Sequence, residues 1–125
     1  MAEFTSSAND CSVVEAVQTQ AFDVVVIGGG PAGMAAALAA LAAHKTGARV
    51  AIVEREQHLG GILRQCIHPG FGLSHFKQEL TGPEYAQRFI DQVRATDIAL
   101  FLNSMVIGID SGELRKTPRF IPSRS

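Results

Sequence analysis

Tryptophan is absent from the 125 residues, aromatics make up only 6%, and cysteine occurs just twice. Two thiols, Cys11 and Cys66, are too few for the disulfide scaffold of a small secreted domain, so a reducing cytoplasm is the expected compartment. An excess of charge of either sign is missing as well. Eleven Lys and Arg stand against twelve Asp and Glu, a net charge of -1. That balance gives no electrostatic reason to expect nucleic acid or an anionic membrane as partner. Met1 to Gln20 lacks the basic and apolar regions of a signal peptide. Val24 to Ala43 runs without a charge for the length of a membrane span, yet Gly28-Gly29-Gly30-Pro31 breaks it, and no span is expected.

What is present is 46% apolar and 18% charged residues, the composition of one globular domain at most. Residues 1–20 show no sustained periodicity and are expected to form a flexible leader. Phe22-Asp23-Val24-Val25-Val26-Ile27 has the β-branched pattern of a strand buried on both faces of a parallel sheet. From Pro31 to about Ala43, Ala, Leu and Met predict a helix, with His44 and Lys45 in its last turn and Gly47 as its stop. Arg49 to Glu54 reads as a second strand. Strand, turn, helix and strand make a βαβ unit, whose crossover requires the strands to be parallel.

Beyond Glu54 the texture changes. Arg55 to Gly82 holds five glycines, with Cys66, His68, Pro69 and His75, in a loop long enough to suggest a task. Thr81-Gly82-Pro83-Glu84 fits a capping box, and Tyr85, Ala86, Phe89, Ile90 and Val93 give a helix one apolar face through about Ala95. Ile98 to Asn103 and Met105 to Ile109 are strand-like. Ser111 to Ser125 carries Arg115, Lys116, Arg119 and Arg124 and is expected to be a disordered basic tail.

The motif that carries chemistry is Gly28-x-Gly30-x-x-Gly33. Gly28 allows the turn from strand to helix, Gly30 lets a pyrophosphate approach the backbone, and Gly33 lets the helix sit close to the sheet. N–H groups at the helix start and its positive dipole end then favour phosphate. Glu54 closes the second strand about twenty residues later, where an acid accepts hydrogen bonds from a ribose diol. The same acid would repel the extra phosphate of NADP. An ordinary turn and a solvated strand-end acid are the bland alternatives, and the strand–helix context around the glycines argues against them.

The run from Asp23 to Ala37, with Gly28-Gly29-Gly30-Pro31-Ala32-Gly33 inside it, resembles the opening of flavoproteins with two dinucleotide-binding domains, the pyridine nucleotide-disulfide oxidoreductase superfamily. Leu59 to Leu73 and Leu80 to Ala86 further resemble FAD-dependent oxidoreductases found beside anaerobic glycerol-3-phosphate dehydrogenases. The resemblance covers about Phe22 to Asp110. It implies an α/β fold, a partial Rossmann-like FAD-binding domain over residues 21–110 whose parallel sheet begins with the βαβ unit. It also implies FAD as cofactor, with NAD(P) used by full-length relatives. The expected cofactor-binding residues are Gly28, Gly30, Pro31, Ala32, Gly33, Glu54, Arg55 and Gly61, and the Gly60–Gly72 loop is expected to lie toward the flavin ring.

Two departures qualify the resemblance. Disulfide reductases of the superfamily carry a Cys-x-x-x-x-Cys pair after the Gly-Gly, whereas Cys66 stands alone, so no dithiol relay is expected. Cys66, with His68, could tune the flavin or contact substrate, or serve as a small buried side chain. With His68 and His75 it makes an incomplete, irregularly spaced ligand set, and no metal is expected. Length is the second departure, because family members run to several hundred residues. The reading is therefore a fragment of an NAD(P)/FAD-dependent oxidoreductase, with no catalytic residue assigned. The alternatives are a non-catalytic dinucleotide-binding module or a small subunit completed by a partner chain.

Overall fold

The computed structural model describes residues 2–6, 18–44, 47–111 and 116–122. In chain order the elements are β1 (Ala2–Ser6), β2 (Gln18–Phe22), β3 (Val24–Ile27), α1 (Pro31–Ala43), β4 (Val50–Val53), a 3-10 turn (Gly61–Gln65), α2 (Gly82–Arg94), β5 (Ala99–Phe101), β6 (Ser104–Ser111) and β7 (Lys116–Pro122).

The expected βαβ unit is β3–α1–β4. Val24 faces Val50 and Ile27 faces Val53 in a parallel pairing, and β5 adds to the other side of β4, again parallel, giving the order β3-β4-β5. Central position explains why all four residues of β4 are buried. The first strand differs from expectation. Phe22 ends β2, Asp23 makes a bend, and β3 is an edge strand, so Val24 to Val26 are half-buried and Ile27 is 52% exposed.

Two apolar layers flank β4, because alternate side chains of a strand point to opposite faces. Val50 and Ile52 pack with Met34 and Ala37 of α1, Leu59, and Phe89, Ile90 and Val93 of α2. Ala51 and Val53 pack on the other side with Phe22, joined by half-buried Phe101 and Val106. Helix α1 is Ala-rich and ends at Ala43. His44 is its C-cap rather than part of its last turn, while Lys45 lies outside the described residues. Helix α2 begins on the expected capping box. The Thr81 N–H donates to Glu84 Oε2 at 2.8 Å, and the Glu84 N–H donates to Thr81 Oγ1 at 3.4 Å. The Thr81 N–H, foremost, and the Thr81 hydroxyl, at 2.8 Å, both donate to the Glu84 carboxylate and hold it below its ordinary pKa.

A second sheet has the order β2-β1-β7-β6. β1 is antiparallel to β2, β6 is antiparallel to β7 with a bulge between Val106 and Gly108, and β1 meets β7 in parallel. Residues 2–6, 18–20 and 116–122 are thus in strands where a flexible leader (1–20) and a disordered tail (111–125) were expected. Each is paired with a segment far away in the chain or with an edge that periodicity does not reveal, and pairing context outweighs local propensity in strands. Among the described residues, no helix is long and apolar enough to cross a membrane.

Candidate functional site

The turn from β3 into α1 leaves the sheet at Gly28, whose φ of +106° is the conformation that favours glycine. At Gly33, one turn into α1, a Cβ would overlap the Gly28 carbonyl oxygen and lie 3.3 Å from Val26 Cγ1, so the helix can approach the strand only without a side chain there. Gly30 is different. Its φ is ordinary, -74°, and a Cβ there would meet nothing within 4 Å. Gly30 is the N-cap of α1, makes no side-chain cap, and no acid stands in the first turn. An uncapped helix start facing open space is the arrangement that receives an anion. Pro31 occupies N1, where its missing N–H costs nothing, and Ala32 follows in the same turn.

Glu54 lies at the end of β4 and is buried, 7% exposed. Its Oε2 accepts the Gly29 N–H at 2.6 Å and its Oε1 accepts the Glu56 N–H at 2.9 Å. The Gly29 carbonyl in turn accepts the Gly60 N–H at 2.8 Å. These bonds tie the glycine turn to the segment after β4. The 3-10 turn then presses close, because a Cβ on Gly61 would lie 3.2 Å from Gly30 Cα.

A cleft of about 920 Å³ opens over these elements, within the size range of small-molecule sites. Gly28, Glu54, Arg55 and Gly61 line it, together with the segment through His58, the 3-10 turn and the start of β6 at Ser104 to Val106. Gly30, Pro31, Ala32 and Gly33 are not in its lining but form the adjoining helix start. Of the eight residues expected from sequence, four therefore share the cleft and four sit at its margin. Sequence reading missed Gly29, although three successive glycines were a visible sign that the middle one had its own task. It also missed the β6 residues, whose approach comes from a later crossover with no local signal.

Cys66 is half-buried just after the 3-10 turn, its thiol 3.5 Å from the Ile62 carbonyl oxygen. Cys11 lies outside the described residues. His68 Nδ1 is 3.0 Å from the Pro69 carbonyl oxygen, and His75 stacks on Phe89 with ring centroids 5.4 Å apart. No group of three or more His, Cys, Asp or Glu suited to a metal occurs among the described residues.

A parallel sheet with a glycine turn feeding a helix start, and an acid closing the next strand, defines a Rossmann-like dinucleotide fold of the flavoprotein type. The chain belongs to the FAD dependent oxidoreductase family, which it matches over residues 23–117. It is 35% identical over 102 residues to a ferredoxin–NADP reductase of Streptococcus pneumoniae serotype 19F, covering 76% of this chain and 29% of that protein. Among solved structures it resembles the thioredoxin reductase of T. acidophilum, with a TM-score of 0.62 and 28% identity over 74% of this chain and 28% of that one. L-proline dehydrogenase from P. horikoshii shares the fold, with a TM-score of 0.59 and 21% identity over 95% of this chain and 22% of that chain. The chain thus spans under a third of the length of these proteins.

Proposed function

We propose that this chain holds the ADP portion of FAD and is the cofactor-binding part of an NAD(P)-linked flavin oxidoreductase. The observation that carries the reading is Gly30, an uncapped helix start whose Cβ position is open space, next to a cleft closed by a buried acid. The residues present fit the cofactor. The start of α1, at Ala32 and Gly33, would offer N–H groups to the pyrophosphate, with Gly28 and Gly30 keeping side chains out of its way. Glu54 has its two oxygens fixed by Gly29 and Glu56, so its remaining lone pairs would accept a ribose diol without reorganising. Arg55 and Gly61 would border the same ligand from the cleft wall. When bound, the flavin supplies the exchange of hydride or single electrons, and the protein supplies position and electrostatics.

The nicotinamide dinucleotide and the ferredoxin in the relatives' name belong to this reading only as partners of a longer assembly. Glu54 would meet a 2′-phosphate with like charge, so the cleft suits FAD in preference to NADP. The kinship to the glycerol-3-phosphate-associated subgroup rests on Leu59–Leu73 and Leu80–Ala86 alone.

A partner chain or further domain completing the fold is the second part of the reading. β3 carries no strand on its outer side among the described residues, and Ile27, Met105, Ile107 and Ile109 are each more than half exposed. Strand edges and apolar rows of this kind are ordinarily covered.

The visible absorbance spectrum of gently purified protein, with the released cofactor identified after denaturation, tests the proposal. A flavin spectrum with FAD released supports it. Colourless protein that does not take up added FAD overturns it and leaves the family and fold in place.

A further inference from the structure

We propose that Arg64 is the cation that meets the diphosphate of the dinucleotide in this cleft, an inference resting on the function proposed above. Arg64 stands in the 3-10 turn, three residues after Gly61, and lines the cleft with Gly28, Glu54 and Gly61. Gly61 itself abuts Gly30, so the turn that carries Arg64 starts against the N-cap of α1.

The stem of Arg64 lies against Gly60, while the residue as a whole is exposed. It crosses Gly60, where a Cβ would come within 2.8 Å of Arg64 Cγ and 3.0 Å of Cδ, and the φ of +118° at Gly60 already favours glycine. The missing side chain at Gly60 leaves room for the stem. A stem already positioned loses less rotamer freedom when its head group binds.

Charge accounting in the cleft singles out the same residue. Glu54, Arg55, Glu56 and His58 line it as well. Both Glu54 oxygens accept backbone N–H groups, and Arg55 Nε lies 3.4 Å from Glu56 Oε1. Arg64 makes no ion pair among the described residues. Two acids stand in the lining, and the Arg55–Glu56 pair is solvent-exposed and weak, so an incoming diphosphate gains from a further positive charge besides the helix end. A guanidinium supplies that charge with a planar fork of donors that matches phosphate oxygens.

The test is the affinity of the full chain for FAD, ADP and adenosine, by fluorescence or calorimetric titration, in wild type, R64Q and R64K. Expected for R64Q is a loss of about 10- to 100-fold for FAD and ADP, the worth of a charge-assisted hydrogen bond, with adenosine unaffected. The salt dependence of ADP binding should weaken in parallel, and R64K should recover part of the loss. Wild-type affinity for FAD and ADP in R64Q overturns the inference and leaves the proposed function standing. An equal loss for adenosine and ADP shows a packing role and also overturns it. Wild-type protein that binds neither FAD nor ADP overturns the proposed function, and the inference falls with it.

Discussion

Glu54 Oε2 accepts the backbone N–H of Gly29 at 2.6 Å, which makes the acid at the end of β4 a clasp on the glycine turn. Gly29 is buried, so removing its acceptor has a cost in the fold before any ligand is considered. Glu54→Ala is expected to destabilise by about 1–3 kcal/mol, the penalty for a buried donor left without a partner. Urea unfolding measures it, and an unchanged midpoint would show that the clasp contributes nothing.

Gly30 and Gly33 separate binding from folding. Gly30→Ala places a methyl in open space at an ordinary φ, so stability should stay within about 0.5 kcal/mol of wild type while FAD uptake is lost. Gly33→Ala drives a methyl into the Gly28 carbonyl, and overpacking of that kind costs about 1–3 kcal/mol. Thermal melts run beside FAD titrations distinguish the two. Gly30→Ala protein that still takes up FAD at wild-type affinity would contradict the phosphate role.

At the start of α2, Thr81→Ala removes the N-cap and should cost about 1 kcal/mol. The pH dependence has a definite sign. Because the folded state lowers the Glu84 pKa, its contribution is present above the unfolded carboxyl pKa. It is lost as pH falls through the lower folded value. Stability measured on the acid side should therefore fall less steeply in Glu84→Gln than in wild type, and identical slopes would speak against the capping bond.

Met34 is fully buried between α1, α2 and β4. Met34→Ala should cost about 2–5 kcal/mol through lost burial and the cavity left behind. A loss below about 1 kcal/mol in chemical unfolding would mean that the helices collapse onto the vacant space.

The βαβ unit was legible because its signals are local: a β-branched run, three glycines, an Ala-rich helix, then a second apolar run. The capping box at Thr81 was legible for the same reason. β1, β2 and β7 were not, since each strand is defined by an edge supplied from elsewhere in the chain. The loop between Glu54 and Thr81 carried glycines as its visible sign. Its order comes from a Phe71–Leu80 bridge and from Phe76, Tyr85 and Phe89 meeting edge-on, contacts that no spacing rule encodes. For the site, residue types at fixed offsets pointed to Glu54 and the glycines. The buried clasp from Glu54 to Gly29 joins a side chain to a backbone N–H 25 residues away and has no signature in residue types.

The parallel contact between β1 and β7 sets Thr5 opposite Arg119. During synthesis β1 leaves the ribosome first of the described strands and β7 last. The β3–α1–β4 unit has all its parts once β4 has emerged, whereas the four-stranded sheet must wait for β7. Chain order thus makes every strand of the β3-β4-β5 sheet available before the last strand of the other sheet, β7, has been made.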